Sequence, residues 1–123
     1  MKHKTLKVGI MSRADYRKRA LAIARGEHTP KSGEPKIWFE SLRSMSEVLG
    51  NDNQELLRII LDKKPQSLVE LEALSGRNKG NLSRTLKTLE RYGIVALHKT
   101  DHRLVPEVRA TDFRVEFGIH AGG

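Results

Sequence analysis

Two short segments of helical spacing, separated by a glycine-containing break, constrain the fold of this sequence most. Leucines recur at the spacing of one helix face over residues 68–74, and Ser67 precedes them as a helix cap with Glu70 in the capping-box position. The pattern breaks at Gly76, and a second helix is predicted over about residues 79–91. Two short helices this close along a chain, following a third, are typical of a helix-turn-helix.

A third helix and a hairpin are predicted on either side of this pair. Residues 56–61 repeat apolar side chains at helical spacing, and the Lys-Lys-Pro run at residues 63–65 ends that helix. After the second helix, residues 94–99 and 104–108 have the composition of strands and are joined by residues 100–103. A hairpin directly after the second helix forms the wing of a winged helix. The sequence therefore predicts the α+β class, with a winged helix-turn-helix.

Three further segments alternate apolar and polar residues and predict short N- and C-terminal strands at residues 6–10, 37–39 and 113–119. We expect them to pair into an extra sheet, either within one chain or across a dimer. Between the first two lie a basic helix capped by Ser12 and a loop rich in Gly and Pro over residues 26–35. The predicted organisation is a basic N-terminal strand-helix arm with its linker over residues 1–35, and the winged domain with its C-terminal strand over residues 36–123.

Basic residues outnumber acidic ones and are concentrated towards the two ends of the chain. Among 123 residues, 23 Lys and Arg stand against 15 Asp and Glu, a formal net charge of +8. Residues 1–35 carry +6, residues 36–76 carry −2 and residues 77–123 carry +4. The pI near 10.0 is typical of a nucleic-acid binder, although net charge alone does not define a fold. The absence of cysteine excludes disulfide frameworks, cysteine-ligated zinc and thiol catalysis.

The predicted second helix has two chemically different faces. Leu82, Leu86 and Leu89 gather on one side and are expected to pack into the core. The other face, the preceding turn and the hairpin tip are polar and basic, although an ordinary amphipathic surface helix would look the same. The candidate DNA-binding residues are Arg77, Asn78, Lys79, Asn81, Ser83, Arg84, Lys87, Thr88 and Arg91, with Lys99, His102 and Arg103 at the hairpin tip.

Side-chain chemistry divides these candidates between bases and phosphates. The arginine fork matches the guanine edge and the asparagine amide matches the adenine edge, which favours Arg84 and Asn81 as base readers. Lys79, Lys87 and Arg91 suit phosphates at the edge of the groove better.

Part of the sequence resembles a known class of regulators. The run NLSRTLKTLERYGIV at residues 81–95 is similar to the recognition helix and first wing strand of MarR-type winged-helix regulators. From PKIWFES at residues 35–41 through Gly76-Arg77 to the end, the chain resembles a small prokaryotic family regarded as antitoxin-type transcriptional regulators and often encoded beside a small toxin-like protein. MarR proteins usually dimerise through long terminal helices around a ligand pocket, and this chain has no room for them.

The resemblance implies a sequence-specific binder of double-stranded DNA that represses its own operon. It also implies a cognate toxin as protein partner, while the use of paired half-sites by such regulators predicts a homodimer. Two alternatives remain: a protein-neutralising module whose DNA binding is secondary, and an RNA-binding winged helix. The scarcity of aromatic residues counts against the RNA reading, since readers of single strands stack bases on aromatic rings.

Motifs for catalysis, metals and membranes are lacking in the sequence. His98 and His102 are four residues apart across a predicted turn, with no second pair of zinc ligands, so no metal or other cofactor is expected. No nucleophile elbow, phosphate-binding loop or evident catalytic triad is present, which predicts a protein that is not an enzyme. No apolar run approaches the ~18 residues of a membrane helix, and we expect a cytoplasmic protein without membrane contact.

Overall fold

The computed structural model of the chain describes residues 4–119, which form an α+β protein with five helices and five strands. The helices are α1 (Arg13–Ala24), α2 (Leu42–Val48), α3 (Asn51–Lys63), α4 (Leu68–Ser75) and α5 (Lys79–Arg91). The strands are β1 (Thr5–Ile10), β2 (Ile37–Phe39), β3 (Val95–Thr100), β4 (Arg103–Val108) and β5 (Asp112–Glu116). Within residues 4–119, every helix is too short or too polar to cross a lipid bilayer. The ends of the predicted segments 1–35 and 36–123, residues 1–3 and 120–123, lie outside the described residues.

Most of the helices begin at a residue whose side chain caps the first turn. The hydroxyl oxygens of Ser12, Ser41 and Ser67 each accept a hydrogen bond from the backbone N–H three residues later, at 3.2, 3.0 and 3.1 Å. Such a bond satisfies a donor that has no partner inside the helix. The predicted caps at Ser12 and Ser67 are therefore confirmed. The cap of α5 is Asn78, which the sequence analysis assigned to DNA contact.

The core is aliphatic and is built mainly where α3, α4 and α5 meet the start of β3. Leu56 and Ile60 of α3 and Leu71 of α4 are buried. The predicted inner face of α5, Leu82, Leu86 and Leu89, is fully buried against them, which confirms the orientation of this helix. Burying a leucine stabilises a fold by about 1.5–3 kcal/mol, so these contacts fix which face of α5 remains outside.

The three alternating segments pair into one parallel sheet in the order β2-β1-β5. This confirms the predicted extra sheet, in the version formed within a single chain. Parallel neighbours need a crossover connection, and α1 supplies the one between β1 and β2. Helices α2–α5 and the β3–β4 hairpin lie in sequence between β2 and β5. Strand β1 is therefore hydrogen-bonded both to β2, in the first third of the chain, and to β5, near its end. The predicted division of the chain at residue 35 stays a prediction.

Aromatic and apolar side chains connect this sheet to the helical core. Phe39 of β2 is fully buried, and its ring stacks on that of Tyr92 at a centroid distance of 4.4 Å. Leu6 of β1 and Phe113 of β5 pack against the core cluster. Helix α1, in contrast, has no buried residue. The side chains of this helix thus lie largely on the surface.

Two boundaries differ from the sequence analysis. The connection between β3 and β4 is a two-residue turn at Asp101 and His102, not the predicted four-residue loop, because Thr100 and Arg103 pair with each other. Both turn residues have positive φ angles, 49° and 65°, as in the tight turns that match strand twist. In the separate parallel sheet, β5 stops at Glu116, so the strand is shorter than the predicted segment 113–119.

Candidate nucleic-acid interface

The turn between α4 and α5 sets the direction of the candidate helix. Gly76 ends α4 in the left-handed conformation with φ of 76°, which a side-chain-bearing residue rarely adopts. Asn78 then caps α5, with its Oδ1 accepting from the backbone N–H of Asn81 at 2.8 Å. The carboxylate of Glu72 accepts from the backbone N–H of Lys79 at 2.9 Å and ties the two helices together. Together with the buried leucines, these contacts hold α5 in one orientation.

The outer face of α5 carries exposed cations. The side chains of Arg84, Lys87 and Arg91 are exposed, and none pairs with a carboxylate in residues 4–119. A Cβ atom built on Gly80 would lie 3.7 Å from Nη1 of Arg84, so this guanidinium extends along the first turn of the helix. Lys79 is exposed at the same end. The face is therefore a row of positive charges that the fold itself does not neutralise.

The hairpin tip continues this basic face. Ser83 and Lys87 of α5 line an open groove whose other wall is formed by the hairpin tip, and the groove has a volume of about 840 Å³. The candidates Lys99, His102 and Arg103 line that wall together. Glu90 and Asp101 also line the groove, so three full positive charges stand against two negative ones. The structure brings the hairpin candidates and Lys87 into one surface, as the sequence analysis required.

Several candidates have other partners. The guanidinium of Arg77 donates hydrogen bonds to Oδ1 of Asn53 at 3.0 Å and to the backbone oxygen of Asp52. This side chain is half-buried and ties the turn to the start of α3. The hydroxyl group of Thr88 donates to the backbone oxygen of Arg84 at 3.1 Å. Arg77 and Asn78 therefore use polar groups to position α5, whereas the hydroxyl of Thr88 is bonded within the helix itself. The sequence alone did not indicate these contacts.

Asn81 occupies an intermediate position between the core and the outer face. Its side chain is half-buried, and Oδ1 is buried without a hydrogen-bond partner among the described residues. Reading adenine with both amide atoms requires the acceptor and the donor to reach the base edge together. The amide would have to turn before it could do so, whereas Arg84 already lies on the outer face.

The N-terminal part contributes basic residues that the sequence analysis did not include. Arg91 and Tyr92, at the end of α5, line a cleft of about 370 Å³ together with Arg13, Lys36 and Trp38. Arg13 is paired with Glu40 at 3.0 Å. Lys36 extends the row of cations beyond the end of α5. The net charge of residues 1–35 was visible in the sequence, but their place beside α5 depends on the parallel pairing of β1 and β2.

Two carboxylates near the surface are held in charged contacts. Glu34 accepts a hydrogen bond from Arg19 at 2.6 Å, and this bond is the main cause that keeps the pKa of Glu34 below its ordinary value of 4.5. Arg19 also lies 5.2 Å from the ring centre of Trp38. On the hairpin, His98 and Arg109 contact the carboxylate of Glu107 and lower its pKa, with the hydrogen bond to His98 as the larger cause. The contacts of Glu34 and of Glu107 stabilise surface segments that lie outside the basic face.

No cluster of three or more side chains suited to a metal ion occurs among residues 4–119.

The fold and this surface define a small α+β protein with a basic helix beside a basic hairpin. The chain belongs to the HVO_A0114 family, whose model matches residues 48–115, from the end of α2 to β5. No curated protein and no solved structure shows significant similarity to this chain.

Proposed function

We propose that this protein is a sequence-specific regulator that binds double-stranded DNA as a MarR-like winged helix-turn-helix, with α5 in the major groove and the β3–β4 hairpin as the wing. The observation that carries the proposal is the unpaired cationic face formed by Arg84, Lys87 and Arg91 together with the basic hairpin tip. A helix of this size fits the major groove. Bound phosphates would neutralise charges that have no ion-pair partner in the described part of the chain.

Within this interface the side chains take different roles. Arg84 reads a base, since its fork can bind guanine O6 and N7 together. Lys79, Lys87 and Arg91 contact phosphates and fix the position of the helix on the duplex. Lys99, His102 and Arg103 contact the backbone or minor groove beside it. The resulting action is repression of its own operon, as the resemblance to antitoxin-type regulators implies.

Neither RNA binding nor catalysis fits the surface as well. Single-stranded RNA is recognised by stacking on aromatic rings, and the outer face of α5 and the hairpin tip carry none. The groove there brings together cations, the carboxylates of Glu90 and Asp101, the imidazole of His102 and the hydroxyl of Ser83, and this hydroxyl is not hydrogen-bonded to a base among the described residues.

A second candidate function is the neutralisation of a toxin partner through α1. The observation that favours it is that no residue of α1 is buried, while Tyr16 and Leu21 are each about half exposed, at 49% and 48%. Arg17 and Lys18 are exposed on the same helix. A basic helix of this kind, with apolar side chains exposed between its charges, suits an acidic surface on a partner protein.

DNA binding is tested by footprinting on the DNA upstream of the protein's own gene, followed by titration of that site and of scrambled DNA. We expect protection of a discrete site. Arg84→Ala should cost about 1–3 kcal/mol at that site and relax the preference at one base position. Unchanged specific binding by the Arg84→Ala protein would show that α5 does not read the sequence.

The partner hypothesis needs a variant that retains β1, because β1 is the central strand of its sheet. Arg17→Glu combined with Lys18→Glu reverses two exposed charges of α1 and leaves the strand in place. Capture of the protein encoded by the neighbouring gene should be lost while DNA binding persists. Retained capture would contradict a role for α1.

A further inference from the structure

The sheet ends at β5, and a row of apolar side chains continues beyond this strand. Val115, Phe117 and Ile119 are 41%, 54% and 96% exposed. Alternate residues of a strand share one face, so these three follow Phe113, which packs on the core. Beside them lies a groove of about 440 Å³ lined by Leu49, Leu57, Thr111, Phe113 and Val115 among others. An edge strand with such a row is a template for pairing with another strand.

We propose that β5 pairs antiparallel with β5 of a second copy, in the register that sets Val115 opposite Val115 of that copy. Two three-stranded sheets then join into one of six strands. The pairing extends each strand through residue 119 and covers apolar side chains that are exposed in the single chain. This homodimer does not rest on the DNA-binding proposal.

Side-chain chemistry selects this register. With Val115 on the two-fold axis, Arg114 lies opposite Glu116 of the second copy, and the same pair occurs twice. Opposite charges across strands stabilise the pairing, and like charges destabilise it. Moving the axis to Arg114 would oppose two arginines, and moving it to Glu116 would oppose two glutamates. Each of these neighbouring registers therefore sets like charges on the axis.

The groove supports the same register. Phe117 of the second copy lies opposite Phe113, which lines the groove, and Ile119 of the second copy lies opposite Thr111, which lines it too. A register centred on Phe113 also pairs opposite charges, Asp112 with Arg114. It pairs only residues 111–115, however, and leaves Phe117 and Ile119 exposed.

The backbone N–H and C=O groups of β5 point in the directions that this register requires. The N–H group of Asp112 donates to the backbone oxygen of Lys4 at 3.2 Å, towards β1. Because successive residues of a strand point their N–H and C=O groups to opposite sides, residues 113, 115 and 117 present theirs to the outer edge. Antiparallel pairing about Val115 uses those groups and places Arg114 and Glu116 at the closer, non-hydrogen-bonded positions.

A charge exchange tests the proposal without DNA. The full-length wild-type protein should be a dimer at micromolar concentration by analytical ultracentrifugation. Arg114→Glu and Glu116→Arg should each weaken the dimer about tenfold or more, since each sets like charges opposite each other. An equimolar mixture of the two variants should dimerise again, because opposite charges then face each other across the axis. Thermal unfolding of each variant checks that the fold is retained, in particular for Glu116→Arg, which loses the contact with Lys7.

A cysteine placed on the axis tests the register. Val115→Cys introduces a single thiol into a chain without cysteine, at Cα atoms about 5.5 Å apart across the axis, within disulfide range. We expect rapid cross-linking to a covalent dimer under mild oxidation. Val69→Cys is the matched control, since Val69 is 65% exposed on α4, and it should cross-link slowly.

Three results would overturn the proposal. If the wild-type protein stays monomeric at high micromolar concentration, β5 does not pair with a second copy. The exposed edge would then be a site for an extended segment of a different protein. A dimer in which the Glu116→Arg and Arg114→Glu proteins associate as tightly as wild type would place the interface elsewhere. A dimer that Val115→Cys does not cross-link faster than Val69→Cys would exclude the register centred on Val115.

Discussion

The guanidinium group of Arg77 donates a hydrogen bond to the side-chain oxygen of Asn53 across 3.0 Å. This bond connects the turn before α5 with the first turn of α3, 24 residues earlier in the chain. Asn53 also donates to the backbone oxygen of Val48, at the end of α2. The two side chains thus link three helices, and the position of the proposed recognition helix depends on them.

Removing this hydrogen bond should weaken the connection between α3 and the turn that precedes α5. We expect Arg77→Ala to lower the free energy of unfolding by about 1 kcal/mol, because the half-buried acceptor on Asn53 loses its partner. Urea denaturation of Arg77→Ala, Asn53→Ala and the double variant measures the coupling between the two side chains. Independent, additive effects of the two substitutions would show that the bond does not stabilise the fold.

Lys87 and Lys63 form a matched pair for the electrostatics of DNA binding. Both are exposed lysines on helices, but only Lys87 lies on the basic face. Lys87→Ala should weaken binding to all duplex sequences alike and reduce the slope of log affinity against log salt by about 0.9. Lys63→Ala should change neither value. Equal salt slopes for the Lys87→Ala and wild-type proteins would exclude a phosphate contact at this residue.

Two glycines four residues apart should respond to alanine in opposite directions. Gly76 has φ of 76°, so Gly76→Ala forces a strained backbone and should destabilise the fold by about 1–2 kcal/mol. Gly80 lies inside α5, where a Cβ meets its nearest atoms at ordinary distances of 3.5 and 3.7 Å. Gly80→Ala should stabilise the fold by about 0.5–1 kcal/mol. Thermal unfolding of both variants checks the signs, and two changes in the same direction would contradict this geometry of the turn.

The ion pair of Glu34 with Arg19 should make stability depend on pH. The hydrogen bond from Arg19 lowers the pKa of Glu34 below 4.5, so the folded state favours the ionised carboxylate more than the unfolded state does. The contribution is present above pH 4.5 and is lost as the pH falls through the lower folded pKa. We expect Glu34→Gln to have a lower melting temperature at pH 7, with a difference that shrinks below pH 4.5. Glu55→Gln, at an exposed helix position, is the control. A difference that is independent of pH would show that charge is not its cause.

Local sequence by itself determined the helices and the inner face of α5. Caps such as Ser67, the left-handed break at Gly76 and the spacing of Leu82, Leu86 and Leu89 act over a few residues, so their signals can be read without the fold. The existence of the strands β1, β2 and β5 could be predicted for the same reason, although β5 ends at Glu116 and not at residue 119. The two-residue turn at Asp101 and His102 was not, because neither residue is the glycine that usually indicates such a turn.

Tertiary structure decided which segments meet. Strand β1 pairs with residues of β5 that are more than 100 positions away in the sequence. A local sequence pattern cannot indicate a contact between residues so far apart along the chain. The pairing of β1 with β2 carries Lys36 to the end of α5, and the packing of α3 gives Arg77 its partner Asn53. A side chain's charge is a property of its residue, whereas its role depends on what lies within a few ångströms. For this reason the sequence could name the basic candidates, and only the fold separated those that hold α5 in place from those left free on its outer face.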